Sequence, residues 1–144
     1  MFAMPAAFVA PDLIVAELVK PDGATLLRQG LRQESLPGEA VAEVVRITEE
    51  DRHISVQDAS ALVLAQRSGR VLLTGEKRLR ELARRNGVAV HGTLCLLEQM
   101  VRARVLTSGR AADALEKMLA EGCRLPETET RNLLRHLRAG KETD

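Results

Sequence analysis

The alternation of apolar and polar positions changes period along this chain, and the changes mark out its elements. From Val56 to Arg67 the apolar residues Ala61, Leu62, Leu64 and Ala65 recur at helical spacing, with Ser55 ahead as an N-cap and Gly69 behind as a stop. Arg70 to Thr74 (RVLLT) is then an unbroken apolar run, the pattern of a short strand buried on both faces of a parallel sheet. Helical spacing returns from Glu76 to Arg85 and stops at Asn86 and Gly87. Val88 to Val90 predicts a further strand, and Thr93 caps a helix reaching Ala103. Strand, helix and strand in this order predict an α/β fold with right-handed crossovers.

Upstream, Ala7 to Ala10 reads as a short buried strand, and Pro11 with Asp12 opens a helix through about Val19. Its sequence LIVAELV is apolar all round except for Glu17, which shares a helical side with Leu13 and Ile14. A lone carboxylate in so buried a helix is costly unless it is paired, hydrogen-bonded or bound to a metal. Pro21, Asp22 and Gly23 predict a turn, and Leu26 to Leu36 is expected to contain an edge strand. Pro37 and Gly38 then start a helix with an apolar stripe of Val41, Val44, Val45 and Thr48, and Glu49 to Arg52 form a solvated turn. From Ser108 onward the pattern is purely helical, over roughly 109–121 and 127–138. Neither of these helices buries its face alone, so they predict a hairpin packed on the rest. One domain, 1–144, is expected, with an α/β core over 7–103 and a helical extension over 104–139.

Composition narrows the function. With 45% hydrophobic and 28% charged residues the chain is an ordinary globular one, disordered only at its KETD tail. A net charge of +1 neither demands nor excludes a polyanionic partner, so only local clustering argues for one. Phe2 and Phe8 are the only aromatic residues, which excludes reading of single strands by stacking. Cys95 and Cys123 are far apart and lack any histidine at ligand spacing, so each is expected to be a small buried hydrophobe in a reducing compartment. Pro5 and Pro11 interrupt the apolar N-terminus and acids follow it, so no signal peptide is read there. No run reaches membrane-spanning length, and a cytoplasmic location is expected.

The familiar phosphate-binding, zinc-protease and serine-hydrolase motifs are absent, and His53, His91 and His136 are dispersed. What remains is a set of acids: Glu17, Asp58 and Glu76. Asp58 stands three residues after Ser55, which fits a capping box as well as it fits catalysis. Glu76 either complements its helix dipole or belongs to a site beyond the carboxyl end of a strand, where open α/β sheets bind ligands. Converging carboxylates repel one another unless a cation neutralises them, and such hard oxygen donors suit Mg²⁺ or Mn²⁺. The natural chemistry of such a cluster is metal-assisted phosphodiester hydrolysis. Lys77, Arg78, Arg80, Arg84 and Arg85 follow on the same helix, either as a solvated basic face or as an RNA-binding one.

The stretch SVQDASALVLAQRSGRVLLTGEKRLRELARRNGVAVHGTLCLL resembles the second half of a PIN domain, the nuclease fold of VapC-type bacterial toxins. The matching pieces are an Asp-Ala-(small)-Ala-Leu helix, an apolar strand ending in Thr, an acid-Lys-Arg-Leu helix start and a Gly-Val-(x)-Val-(x)-Gly-Thr-Leu segment. FVAPDLIVAEL looks like the family's short strand and acid-bearing helix, and residues 94–138 resemble a C-terminal extension of one subgroup. The resemblance implies a three-layer α/β/α fold with a mostly parallel sheet, followed by the helical hairpin. It implies that Glu17, Asp58 and Glu76 are catalytic metal-site acids of a Mg²⁺- or Mn²⁺-dependent endoribonuclease. RNA is then the substrate, with an antitoxin protein and a second copy of the chain as expected partners. One departure stands out: the family begins with a central strand ending in Asp, and no such strand precedes Phe8. Loss of a central strand exposes two sheet edges, which a partner chain or rearranged N-terminus is expected to cover.

That departure keeps a second reading open, a catalytically silent PIN-like binding or oligomerisation module. A third is carried by Arg131 and His136, an Arg-x₄-His spacing that resembles the catalytic motif of helical HEPN ribonucleases.

Overall fold

The structure is a computed structural model of the chain, and it describes residues 2–4, 6–18 and 22–140. It divides into two compact units, one built mainly on residues 6–91 and the other mainly on residues 92–140.

The first unit is the α/β one. It runs β1 (Val9–Pro11), α1 (Asp12–Glu17), α2 (Gly23–Gln29), β2 (Arg32–Glu34), α3 (Gly38–Glu50), α4 (Val56–Ser68), β3 (Leu72–Leu73), α5 (Lys77–Arg85) and β4 (Val90–His91). All pairing among the described strands is parallel, as the sequence predicts, but the sheet is two separate ribbons. β1 pairs with β2 in the register Val9↔Arg32, and β3 with β4 in the register Leu72↔Val90. Helix α4 is the hub, touching α1, β1, α3, β3 and α5. Its Ala59, Leu62 and Val63 are fully buried among Ala40 and Val44 of α3, Leu72 of β3, and Leu79 and Ala83 of α5. Its boundaries match the sequence reading because both signals are local. Ser55 Oγ accepts the Asp58 N–H at 3.0 Å, and Gly69 closes the helix at φ 66°, where only glycine sits without strain.

Several expectations are corrected here. Leu26 to Leu36 does contain a strand, Arg32–Glu34, but the segment ahead of it is not a simple turn: it is α2, because Asp22 accepts from the Thr25 N–H at 2.7 Å and so acts as an N-cap. Gly23 opens that helix hard against α1, where the Val15 carbonyl and side chain fill the space a Cβ would take. Helix α1 is not buried all round: of its residues only Val15 is buried, and Glu17 is exposed, so its charge needs no interior partner. On α3 the buried line is Ala40 and Val44, with Ile47 packed beside it, whereas Val41 and Val45 stay 49% and 48% exposed. α4 covers one side of the apolar arc and leaves the other to solvent. β3 likewise alternates instead of being buried twice over. Leu72 faces the core, while Leu73 and the preceding Val71 are 40% and 48% exposed.

The second unit contains α6 (Thr93–Arg102), α7 (Ser108–Ala120) and α8 (Glu127–Gly140). The predicted hairpin of α7 and α8 is present, with α6 packed on both helices. Ala111 and Ala112 are fully buried beside Leu97, Leu115, Leu133 and Leu137, and small residues at that position let α7 and α8 approach closely. Arg138 clamps the hairpin from outside, with Nη2 at 3.0 Å from Asp113 and 2.8 Å from Glu116. Thr93 is the first helical residue of α6, not its cap, a place held by Gly92. Cys123 lies exposed in the turn after Gly122 and Cys95 is half-buried, so neither is the buried hydrophobe expected.

Candidate active site

The acids predicted from sequence come from the starts of two helices and the end of a third. Ile54, 3% exposed, anchors the chain ahead of α4, and Ser55 then fixes the first turn that carries Gln57 and Asp58. Asp58 is partly buried, and its carboxyl is pushed above the ordinary aspartate value, first by burial and further by the charge of Glu76. A hydrogen bond with Ser55 works in the opposite sense without reversing the shift. The Ser55 half of the capping box is therefore real, yet it leaves Asp58 short of stabilising partners.

Glu76 owes its place to β3. Thr74 continues the pairing with β4, its N–H donating to the His91 carbonyl at 3.1 Å, and Thr74 Oγ1 accepts the Glu76 N–H at 3.1 Å. Glu76 caps α5 through its backbone, with its carbonyl accepting the Arg80 N–H at 3.0 Å, and makes no side-chain cap bond. Its exposed carboxylate is thus not consumed by the helix end.

Glu17 reaches the same helix start by a route that sequence reasoning missed. Gln57 Nε2 donates to Glu17 Oε1 at 2.6 Å, tying the end of α1 to the residue next to Asp58. Among the described residues, no three of His, Cys, Asp or Glu gather closely enough to hold a metal ion together. The structure therefore brings Asp58 and Glu76 within electrostatic reach and ties Glu17 to Gln57, the neighbour of Asp58, without gathering the three acids. Two carboxylates whose charges oppose one another fit an open site for a hard cation, the kind that Mg²⁺ completes with waters and phosphate oxygens.

The basic residues of α5 are not equivalent. Arg78 is committed to Asp51, its Nε lying 2.9 and 3.1 Å from the two carboxylate oxygens, and this bond holds the Asp51 carboxyl below its usual value. Asp51 was read as part of a solvated turn, and its partner 27 residues downstream leaves no local trace. Lys77, Arg84 and Arg85 are exposed. Arg80 is half-buried, with its Nε shut off from solvent and without a hydrogen-bond partner.

The family model DUF3368, a PIN domain, matches residues 2–139. The chain belongs to the PIN domain family. No curated protein and no solved structure gives a significant match. PIN domains have a nuclease-type fold and generally depend on a divalent metal.

A hollow lies in the helical unit. A cavity of about 430 Å³ between α6 and α8 is lined by Glu98, Arg102, Glu129 and His136 over an apolar floor of Val101 and Leu133. Arg131 pairs with Glu127 one turn away at 3.0 Å and is not among the cavity's lining residues. Five residues along a helix turn the chain by about 140° from a full repeat, so Arg131 and His136 face different ways. No described helix is long and apolar enough to cross a membrane.

Proposed function

We propose that this PIN domain is a Mg²⁺- or Mn²⁺-dependent ribonuclease that hydrolyses RNA phosphodiester bonds in the cytoplasm, as the toxin of a toxin–antitoxin pair. The observation that carries this reading is the Asp58 carboxyl, held high by burial and by Glu76, with no protein cation among the forces acting on it. Such a pair is costly in isolation and is relieved by a divalent ion. Asp58 and Glu76 would hold the ion, and Glu17, through Gln57, would fix the helix start that presents Asp58. When bound, the ion would activate water and stabilise charge on the phosphate. An antitoxin peptide and a second copy of the chain are the protein partners in this reading. Metal titration in an RNA cleavage assay is the test. Turnover that appears with Mg²⁺ or Mn²⁺ and vanishes in Asp58→Asn supports the proposal, and cleavage indifferent to both overturns it.

The alternative is a silent binding or oligomerisation module. Two observations favour it: no three-residue metal cluster forms among the described residues, and the sheet is split into two ribbons. Absence of any metal-dependent cleavage, together with retained RNA binding or self-association, would select it.

A further inference from the structure

The five basic residues of α5 divide by helix geometry into two flanks with different chemistry. At 100° per residue, Glu76, Arg80 and Arg84 follow one another at four-residue spacing along one side, with Lys77 next to Arg84 at the outer edge. Arg78 and Arg85, seven apart, run along the other side, across the buried line of Leu79 and Ala83. On the far flank the chain has already satisfied Arg78, which grips Asp51 with Nε. On the Glu76 flank it has not. The Arg80 Nε is buried and unpartnered, and among the described residues Arg80 forms no ion pair. Burying a guanidinium N–H without an acceptor is unfavourable, and such a group in a native structure calls for an explanation, of which an acceptor brought by a ligand is one.

We propose that Arg80 is the phosphate-holding residue of the site, gripping the RNA backbone one helical turn from Glu76, and that Arg84 and Lys77 continue the track while Arg78 and Arg85 lie outside it. This rests on the ribonuclease reading and narrows it from a basic helix to one flank. A planar guanidinium suits two oxygens of one phosphate, which a lysine ammonium meets only as a point charge. Arg80 is thus a substrate-binding residue, and its worth should show in binding as well as in turnover.

The test uses the full chain and a short labelled single-stranded RNA, with binding read in Ca²⁺ across a salt series and cleavage read separately in Mg²⁺ or Mn²⁺. Arg80→Ala should weaken binding by about tenfold or more and reduce the salt slope by about one, while Arg78→Ala and Arg85→Ala stay within about twofold. Arg80→Lys should keep the slope and recover only part of the affinity. It also serves as the reading if Arg80→Ala melts early. Equal losses in Arg78→Ala and Arg80→Ala, or no loss in either, would overturn the flank assignment while leaving metal-dependent cleavage by the native chain intact. If the native chain binds RNA through Arg80 but never cleaves it, the flank stands and the ribonuclease reading falls. Binding of polyglutamate in place of RNA, lost in Arg80→Ala, would overturn the phosphate assignment in favour of an acidic protein partner.

Discussion

Two regions of this protein collect charged side chains, and they do so in opposite ways. Between α6 and α8, acids and bases share one hollow: Glu98 and Glu129 line it with Arg102 and His136. Opposite charges in one cleft can balance each other, so the hollow demands no ion from solution. Where α4 and α5 begin, the charges are alike. Asp58 feels burial and Glu76, and its one favourable side-chain partner is the neutral Ser55. Arg78, two residues from Glu76, is spent on Asp51. A balanced cleft is stable as it stands, whereas an unbalanced pair holds free energy that a ligand of the right sign releases. That difference is why the cation site we propose lies in the α/β unit.

The sharpest way to break this contrast is to neutralise one member in each region. Asp58→Asn or Glu76→Gln should lower RNA cleavage by about 10²–10³-fold, the scale of losing a positioned charge-stabilising group. Arg131→Ala and His136→Ala should leave it within about twofold. The reverse pattern in a cleavage assay would move the chemistry to α8 and revive the Arg-x₄-His reading.

A metal titration separates the regions without any substrate. If Asp58 and Glu76 take a divalent ion, Mn²⁺ at a hundredfold its Kd should stabilise the fold by about 2.7 kcal/mol, seen as a rise in Tm. Asp58→Asn should abolish that rise, and Glu98→Gln should not. Equal metal response in both variants would show that the acid pair is not the site.

How far this contrast could be read from sequence depends on how local each signal is. The Ser55 cap, the glycine stop and the Glu76 helix start are fixed by residues two to four apart, and all appear where the pattern puts them. Parallel strands and the terminal hairpin follow from periodicity in the same way. Failures came where a distant partner decides. Asp22 looks like a turn residue and is a helix cap. Val41 and Val45 look like core, yet the burial of α3 is set by which side α4 covers. Glu17 reads as a buried charge only if α1 is surrounded, and its partner, Gln57, is 40 residues away. Asp58 and Glu76 were legible as candidates from their positions at element ends. That Glu76 acts on Asp58, with no protein cation among the forces there, was not.

Glu17 tests how far the acid pair extends. Among the described residues its side-chain hydrogen bond is the one from Gln57, so Glu17→Ala should cost about tenfold in cleavage, the low end for a group that steadies a metal ligand. Gln57→Ala should match it, since both cut the same 2.6 Å bond. A loss as large as that of Asp58→Asn would instead make Glu17 a direct ligand.

The smallest effect is the most specific to Asp58, and it is measured in chelator so that no ion interferes. Its carboxyl is raised in the folded state, chiefly by burial and then by Glu76, so the folded protein holds that proton more tightly than the unfolded chain. The contribution to stability is therefore fully present below the unfolded value, near 3.8, and is lost as pH rises through the higher folded value. At neutral pH the ionised Asp58 is a net cost, which Asn at the same position avoids while keeping the backbone N–H that Ser55 accepts. Asp58→Asn should then be more stable than the native chain at pH 7, with the advantage fading as the pH falls through the raised folded value and gone below the unfolded value of 3.8. Solvent around a partly exposed carboxylate screens the effect to under about 1 kcal/mol, or a Tm rise of about 1–3 °C. Glu98→Gln, which takes an acid from the cleft where bases already stand, should show no such gain at neutral pH. If both variants gain equally, like-charge repulsion is general to this protein's surface, and the unbalanced pair loses its distinction.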